Sequence, residues 1–315
     1  METTLLIDST TTMPEDLIRQ YGVTVIPVPI QVGSREYRDG VDLTAEKFCA
    51  LLETAREHPS TAVPGLGEYV SFYQELLQRY KNIVYPAPSH KLTGIFNAAV
   101  QSAQQIEGAT VVVVDPPEEW AGELYAVHSD DPQLRERLAG ASKRSAPVIT
   151  VVNTGYVSGA AGLIAMEALE AIQEGLGVDE VAYRMAAVKP NTGIYFILTT
   201  LDYVVDRVGH LRALLGALLK IKPVLTIRNG MVEEEIKVRG EGKTKRALIE
   251  VLKQRIGDRE VDVYVLHSLA PAEAATLLEQ ARSELNVRNW WLGGIGCAIS
   301  RYTGRGGLGL AFIVR

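Results

Sequence analysis

The chain has 315 residues, 47% of them hydrophobic, which predicts a folded protein of two domains and excludes the intrinsically disordered class. A formal charge of −6 and a pI near 5.5 give no general attraction to nucleic acid or to an anionic membrane, so neither is an expected partner. Two cysteines make neither a disulfide framework nor a metal cluster, and no apolar run is long enough for a membrane span, so we expect a cytoplasmic protein without stable membrane insertion.

The first part of the chain repeats short apolar strands and helical patterns. Apolar runs predict buried strands at residues 5–7, 83–85, 110–114 and 148–152. Apolar spacing and end signals predict helices at residues 14–21, 44–56 and 67–80, a helix from 95 onward, and one that ends near 174. This repetition predicts a parallel sheet covered on both faces, with ligands beyond the carboxyl ends of its strands.

Two segments depart from this alternation. Residues 23–32 alternate as a strand would, but Pro27 and Pro29 place them at a sheet edge or in an extended arm. Residues 115–147 are rich in proline and charge, and we interpret them as a surface insertion that is partly helical. With this insertion, residues 1–175 are predicted to form the N-terminal α/β domain.

Residues 176–315 have a different order of elements. Arg228-Asn229-Gly230 lies between two apolar runs, and an Asn-Gly pair in that position predicts a β-hairpin. The other predicted elements are helices at 178–188, 211–219, 243–256 and 271–285, and strands at 195–200, 261–267, 288–292 and 308–313. The order predicts a C-terminal α+β domain with a mixed or antiparallel sheet.

Residues 87–97 connect a buried strand to a helix and are the clearest candidate for a binding turn. Ser89 and Thr93 supply hydroxyls, and Gly94 lets a ligand approach the helix start, where free N–H groups favour an anion. An N-cap role explains a threonine before a helix as well, and the local pattern alone slightly favours that role. Thr61 is a second loop hydroxyl just ahead of a helix.

Motifs for other chemistries are weak. The five histidines are scattered, and neither a Walker loop nor a dinucleotide fingerprint is present, so we expect no metal and no cofactor. A serine hydrolase could use Ser89 or Ser9 with His90 or His267 and with Asp8. Because no Gly-x-Ser-x-Gly elbow occurs, this hydrolase ranks below a binding role and is kept as the alternative for the same cleft.

A series of short motifs occurs in order along the chain. They are Asp8-Ser9-Thr10 with Pro14-Glu15 and Tyr21-Gly22-Val23, residues 37–44 (Tyr-Arg-Asp-Gly-Val-Asp-Leu-Thr), Ser89-x-x-Leu92-Thr93-Gly94, Leu201-Asp202-Tyr203, Ile221-Lys222-Pro223, Val238-Arg239-Gly240 and Gly306-Gly307-Leu308-Gly309-Leu310. Together they resemble the DegV family, fatty-acid-binding proteins that include the FakB subunit of bacterial fatty acid kinase. The resemblance spans nearly the whole chain outside residues 115–147.

This resemblance implies that an acyl chain is enclosed between the two domains, with its carboxylate held by loop hydroxyls. Similar family members use a Thr-Ser-x-Pro threonine and a Leu-Ser-Gly serine, which correspond to Thr61 and Thr93 here. The family's late histidine corresponds to Tyr302, which cannot become cationic near neutral pH. The carboxylate-binding groups implied are Thr61 and Thr93, then Ser89 and Tyr302, assisted by the amides of Gly94 and Ile95.

For the acyl tail, we expect the largely apolar helix at residues 211–219 to supply part of the wall. The candidate residues are Leu211, Leu214, Leu215 and Leu218. Ordinary packing in a domain core explains the same residues at least as well.

The resemblance also implies that the protein is a carrier rather than an enzyme: it binds a long-chain fatty acid and presents it to a separate fatty acid kinase. Residues that would meet the phosphorylated product or the kinase are Arg207, His210 and Arg239. A regulatory module with a purely structural lipid is the remaining possibility.

Overall fold

The structure is a computed structural model that describes residues 2–54, 58–115, 117, 125–142, 146–199, 221–240 and 243–315. The strands are β1 (Thr3–Asp8), β2 (Thr24–Ile26), β3 (Pro29–Val32), β4 (Arg35–Arg38), β5 (Ser60–Thr61), β6 (Asn82–Ala87), β7 (Thr110–Val114), β8 (Tyr125–Val127), β9 (Val148–Asn153), β10 (Thr192–Ile197), β11 (Ile221–Arg228), β12 (Met231–Arg239), β13 (Val261–His267), β14 (Val287–Gly294) and β15 (Leu308–Val314). The helices are α1 (Glu15–Tyr21), α2 (Ala45–Thr54), α3 (Leu66–Leu77), α4 (Ile95–Ala103), α5 (Leu134–Ser142), α6 (Ser158–Gln173), α7 (Val178–Val188), α8 (Thr244–Ile256), α9 (Pro271–Glu284) and α10 (Cys297–Thr303).

The first sheet is wholly parallel, with strand order β2-β1-β6-β9-β7-β8. Every residue of β1, β6 and β9 is buried, as expected for strands covered by helices on both faces. The predicted parallel α/β sheet is therefore confirmed. Its carboxyl edge carries the loops that begin at residues 9, 88 and 154, because the strands run in the same direction.

The second sheet is mixed, with order β12-β11-β10-β15-β13-β14 and a single parallel pair, β13 with β14. The predicted hairpin joins β11 to β12. Asn229 and Gly230 both have positive φ, at 51° and 77°, which is the geometry of a type I′ turn. The α/β fold class, with a second sheet of mixed type, is thus confirmed.

The proline-rich segment at residues 23–32 divides between two sheets. Its first part is the edge strand β2, and its second part is β3, the centre of a small antiparallel sheet of order β4-β3-β5. Pro27 lies between the two strands, and Pro29 is the first residue of β3, a strand position at which a missing N–H is tolerated. The small sheet places Thr61 opposite Ile30.

Helix α6 packs between the two large sheets. Its residues Ala160 and Leu163 share a buried cluster with Ile194 and Leu266 of the second sheet. A Cβ on Gly159 would lie 2.2 Å from Leu266 Cδ1, and one on Gly162 would lie 1.8 Å from the Thr12 carbonyl oxygen. The glycines therefore permit backbone approaches that a side chain would block.

The region around the predicted insertion and domain boundary contributes to the first core. In residues 115–147, β8 adds an edge strand to the first sheet, and Leu134 and Leu138 of α5 are buried. Helix α7, just after residue 175, buries Val181 and Met185 in the same cluster. The insertion and the boundary at 175/176 stay predictions.

An ionic network joins α6 to the second sheet. Arg315 contacts Glu167 of α6 and donates from Nε to Asp262 Oδ2 at 2.7 Å. Arg288 makes a bidentate contact with the same carboxylate, at 2.9 and 2.6 Å. Burial alone raises the pKa of Asp262, but the hydrogen bonds from Arg288 and Arg315 outweigh it and hold the pKa below its usual range.

Asp262→Asn is expected to lower the free energy of unfolding by about 2 kcal/mol at pH 7, a moderate loss because the arginines are partly exposed and screened. Since the folded-state pKa is lowered, the stabilisation is present above the unfolded-state pKa and is lost as pH falls through the folded-state value. In urea unfolding, the difference in free energy of unfolding between the wild type and Asp262→Asn should therefore shrink as the pH falls from roughly 5 to 3. The exposed Asp258→Asn is the control, and a pH-independent difference at Asp262 would contradict the assignment.

No helix within the described residues is long and apolar enough to cross a membrane.

Candidate functional site

A cavity of about 330 Å³ lies between the carboxyl edge of the first sheet and one face of the second. Its wall is mostly apolar, as small-molecule sites usually are. The apolar lining includes Val28, Ile194, Phe196, Leu198, Ile227, Met231, Val232, Leu266 and Leu308. Of the described residues that line it, Lys91 is the only lysine, arginine, aspartate or glutamate, and it is exposed at the surface.

Thr93, Gly94 and Ile95 reach the cavity from the turn that precedes α4. The Ile95 amide donates to Thr93 Oγ1 at 3.4 Å, a long contact that occupies an oxygen lone pair and does not use the hydroxyl proton. Thr93 therefore has a weak capping contact and a proton that a ligand oxygen can accept. The capping role and the ligand-binding role, between which the sequence could not decide, are therefore compatible.

Thr61 and Tyr302 meet at the cavity wall. Their hydroxyl oxygens are 3.2 Å apart, and either can be the donor. Thr61 is fixed by the small sheet and Tyr302 by α10, so residues 241 positions apart in sequence form one hydroxyl pair. Arg301 lies over the Tyr302 ring and donates to the Pro59 carbonyl at 2.7 Å, which joins α10 to the strand that carries Thr61.

The buried carboxylate of Asp39 sets the position of α10. It accepts hydrogen bonds from the amides of Cys297 at 2.9 Å and Ala298 at 3.0 Å, the first residues of the helix. A carboxylate at this point satisfies free N–H groups and lies at the positive end of the helix. The Asp39-Gly40 turn, part of a motif quoted for the family resemblance, thereby holds the helix that carries Tyr302.

Ser89 does not line the cavity. Its hydroxyl donates to the Gly230 carbonyl at 2.8 Å, and its side chain is only 1% exposed. A hydroxyl proton already donated to a carbonyl is not free for a ligand, so we correct the expectation and leave Ser89 out of the carboxylate site.

Sequence reasoning missed Thr10, which lines the cavity in the loop just after β1. Its amide and hydroxyl both donate to Asp8, and the Tyr85 hydroxyl donates to the same carboxylate at 2.7 Å. Burial raises the pKa of Asp8, while these hydrogen bonds act in the opposite direction. The Asp8-Ser9-Thr10 motif could have indicated Thr10, but only the packing shows that it reaches the cavity.

His267, the last residue of β13, also borders the cavity. Val263 and Val265 of β13 pack on the helix-covered face of the sheet, and strand alternation places the His267 side chain on that face too. Its Nδ1 accepts from the Ala270 amide at 3.4 Å, and burial lowers its pKa. The imidazole therefore supplies no positive charge to the cavity.

The residues named for the hydrolase have other contacts. Ser9 Oγ accepts from the Val28 amide at 3.0 Å, and His90 Nδ1 lies 2.7 Å from Asn153 Nδ2. None of these contacts joins a serine to a histidine. Within the described residues, no group of three or more His, Cys, Asp or Glu could hold a metal ion.

Of the remaining predicted residues, only Arg239 lies within the described part of the chain. Leu211, Leu214, Leu215, Leu218, Arg207 and His210 lie outside the described residues. Arg239 is exposed at the end of β12 and does not line the cavity. Its part in partner binding stays a prediction.

A parallel-sheet domain and a mixed-sheet domain that enclose an apolar cavity with hydroxyls on its wall define a class of ligand-binding protein. The sequence profile of the DegV family, described as an uncharacterised protein family, matches residues 2–315, so the chain belongs to the DegV family. The predicted family is confirmed.

Known relatives match along their whole length. A DegV domain-containing protein of Caldanaerobacter subterraneus is 24% identical over 311 residues, which are 98% of this chain and 97% of the relative. The structure of a DegV family protein from Thermus thermophilus, described for its fatty acid binding, is 25% identical with a TM-score of 0.81 and full coverage of both chains. A DegV family protein from Eubacterium eligens, loaded with heptadecanoic acid, is 17% identical with a TM-score of 0.76, covering 99% of this chain and 100% of that one.

Proposed function

We propose that this protein binds a long-chain fatty acid in the cavity between its two sheets and acts as a carrier. The observation that carries the proposal is an apolar cavity with threonine and tyrosine hydroxyls on its wall. Membership of the DegV family, with a relative of similar structure described for its fatty acid binding, supports the same ligand.

In the proposed complex, the carboxylate accepts hydrogen bonds from Thr61, Thr93 and Tyr302 and from the amides of Gly94 and Ile95. A carboxylate that leaves water needs several donors, and hydroxyls and helix-start amides supply them without a buried cation. Lys91 borders the same cavity and could add a donor, whereas Thr10 borders it with its amide and hydroxyl protons already donated to Asp8.

The acyl tail would lie along the apolar face of the second sheet. Each buried CH₂ contributes roughly 0.8 kcal/mol, so a long chain gains on the order of 10 kcal/mol before the costs of binding. Phe196 and Met231 form part of this wall, and the unbranched, flexible methionine can adapt to different chain shapes.

In this function the protein is not the catalyst. It would hold the carboxylate for a separate cytoplasmic fatty acid kinase that forms the acyl phosphate, with Arg207, His210 and Arg239 near the product or the kinase. This part is tested by asking whether a purified fatty acid kinase forms acyl phosphate only when this protein is present. Equal product without the protein would remove the carrier role while leaving lipid binding intact.

Lipid binding itself is tested by native mass spectrometry of the protein purified without added lipid. We expect an additional mass that corresponds to one fatty acid, identified after extraction by its chain length and unsaturation. The delipidated protein should take up one equivalent of the same fatty acid and should bind the methyl ether of the matched fatty alcohol, which has no carboxylate, more weakly. Absence of lipid in both experiments would refute the proposal.

A further inference from the structure

The β11–β12 hairpin tip, residues 228–231, contacts the turn that carries Thr93. The Gly230 carbonyl accepts the Ser89 hydroxyl proton at 2.8 Å. A Cβ on Gly230 would lie 2.6 Å from Ser89 Oγ and 3.4 Å from Lys91 Cδ, so the tip is in close contact with the turn. This contact joins the second sheet to the carboxyl edge of the first.

All hydrogen-bonding groups of Ser89 are occupied. Its amide donates to the Tyr156 carbonyl at 2.9 Å, and its carbonyl accepts from the amides of Leu92 and Thr93 at 3.0 and 3.2 Å. Its hydroxyl, besides donating to Gly230, accepts from the Lys91 amide at 3.3 Å. Ser89 thus fixes the shape of the turn and connects it to two other segments.

The hairpin forms part of the cavity wall and lies at one edge of the second sheet. Ile227, Met231 and Val232 line the cavity next to the tip. β12 is an edge strand that pairs only with β11 among the described strands, and its residues are partly or fully exposed. The hairpin can therefore move away from the turn while the central strands of the sheet stay paired.

We infer that the Ser89 hydroxyl is a latch: its hydrogen bond to the Gly230 carbonyl holds the hairpin tip against the Thr93 turn and sets the rate at which ligand enters and leaves. This inference rests on the proposed lipid binding for its kinetic consequence. Because Ser89 does not line the cavity, it affects the rates of ligand entry and release and not the affinity of the closed site.

Ser89→Ala tests the latch. The change removes the hydrogen bond to Gly230 and the longer one from the Lys91 amide. It should raise both the association and the dissociation rate constants for a long-chain fatty acid by roughly three- to tenfold, with an almost unchanged equilibrium constant. Stopped-flow displacement of a fluorescent fatty acid measures both rates. Unchanged rates, or weaker binding with unchanged association, would overturn the latch.

Gly230→Ala provides a second variant, since its Cβ would collide with Ser89 Oγ and displace the tip. This variant should also accelerate fatty acid entry and release. The double variant Ser89→Ala/Gly230→Ala should exchange fatty acid no faster than Gly230→Ala alone. Gly33→Ala is the matched control, because Gly33 has a φ of 58° in another hairpin turn and no atom within 4 Å of the added Cβ. Equal acceleration by Gly33→Ala would refute the latch.

Hydrogen exchange separates this inference from the proposed function. In the lipid-free protein, Ser89→Ala should speed amide exchange in residues 226–236 and leave the central strand β15 unchanged. If the protein binds no lipid, the proposed function fails, and this measurement alone decides the latch. If the hairpin amides of Ser89→Ala exchange as slowly as those of the wild type, the latch is refuted.

Discussion

Replacing both Thr61 and Thr93 by valine is expected to lower the affinity for a long-chain fatty acid roughly a hundredfold or more. Each hydroxyl would donate to a carboxylate, and a hydrogen bond to a charged group contributes about 1.5–3 kcal/mol. Valine keeps the branched shape of threonine, so the cavity changes little in volume. Isothermal titration of the delipidated variant measures the loss, and each single variant should give about half of it in free energy.

The control for this double variant is Thr54→Val/Thr276→Val. Both threonines are exposed on helices, where their hydroxyls donate to carbonyls of the preceding turn. This pair removes the same two groups far from the cavity wall, and its affinity should equal that of the wild type. If Thr61→Val/Thr93→Val binds as tightly as the control, the carboxylate site is assigned wrongly, although the cavity could still hold the lipid.

Asp39→Ala is expected to destabilise the protein by about 3 kcal/mol and to weaken lipid binding. The change leaves the buried amides of Cys297 and Ala298 without an acceptor and removes the negative charge at the helix start. Without this fixed start, α10 no longer holds Tyr302 beside Thr61. Denaturant unfolding measures the first effect and titration with fatty acid the second.

Asp42→Ala is the matched control in the same loop. Asp42 accepts a hydrogen bond of 2.9 Å from the Arg38 amide, but that contact is exposed, so its loss should cost less than about 1 kcal/mol. Lipid affinity should stay at the wild-type value. Comparable losses for Asp39→Ala and Asp42→Ala would mean that the loop, and not the contact with α10, determines stability.

The strands of the first sheet could be predicted because their signals are local. Residues 110–114 and 148–152 are apolar runs of strand length, and the structure has β7 and β9 at these positions. The Asn229-Gly230 turn was equally readable, since its two positive φ angles require those residue types. Such features depend on a few neighbouring residues and not on distant packing.

Helix α10 could not be predicted because its stability is not local. It has seven residues, too few to be stable alone, and its first amides are satisfied by Asp39, which is 258 positions away from Cys297. The sequence indicated that Tyr302 was relevant only through the family resemblance. Its contact with Thr61 depends on this long-range capping.

Ser89 illustrates a different limit of sequence reasoning. Its residue type and its place in a turn predict a ligand contact, but the structure shows a contact with the protein itself. The acceptor of its proton lies on a hairpin 141 positions later, so no local pattern could reveal it. Ser89 therefore contacts the hairpin, whereas Thr93, four residues later, lines the cavity.

The distance in sequence between Thr61 and Tyr302 also has a consequence during protein synthesis. The ribosome makes roughly 5–20 residues per second, so the 241 residues between them take on the order of ten to fifty seconds. During that interval the first sheet can fold, but its carboxyl edge faces solvent and has no partner for Thr61. If the proposed site is correct, a fatty acid would therefore be held at Thr61 only after α10 has been made.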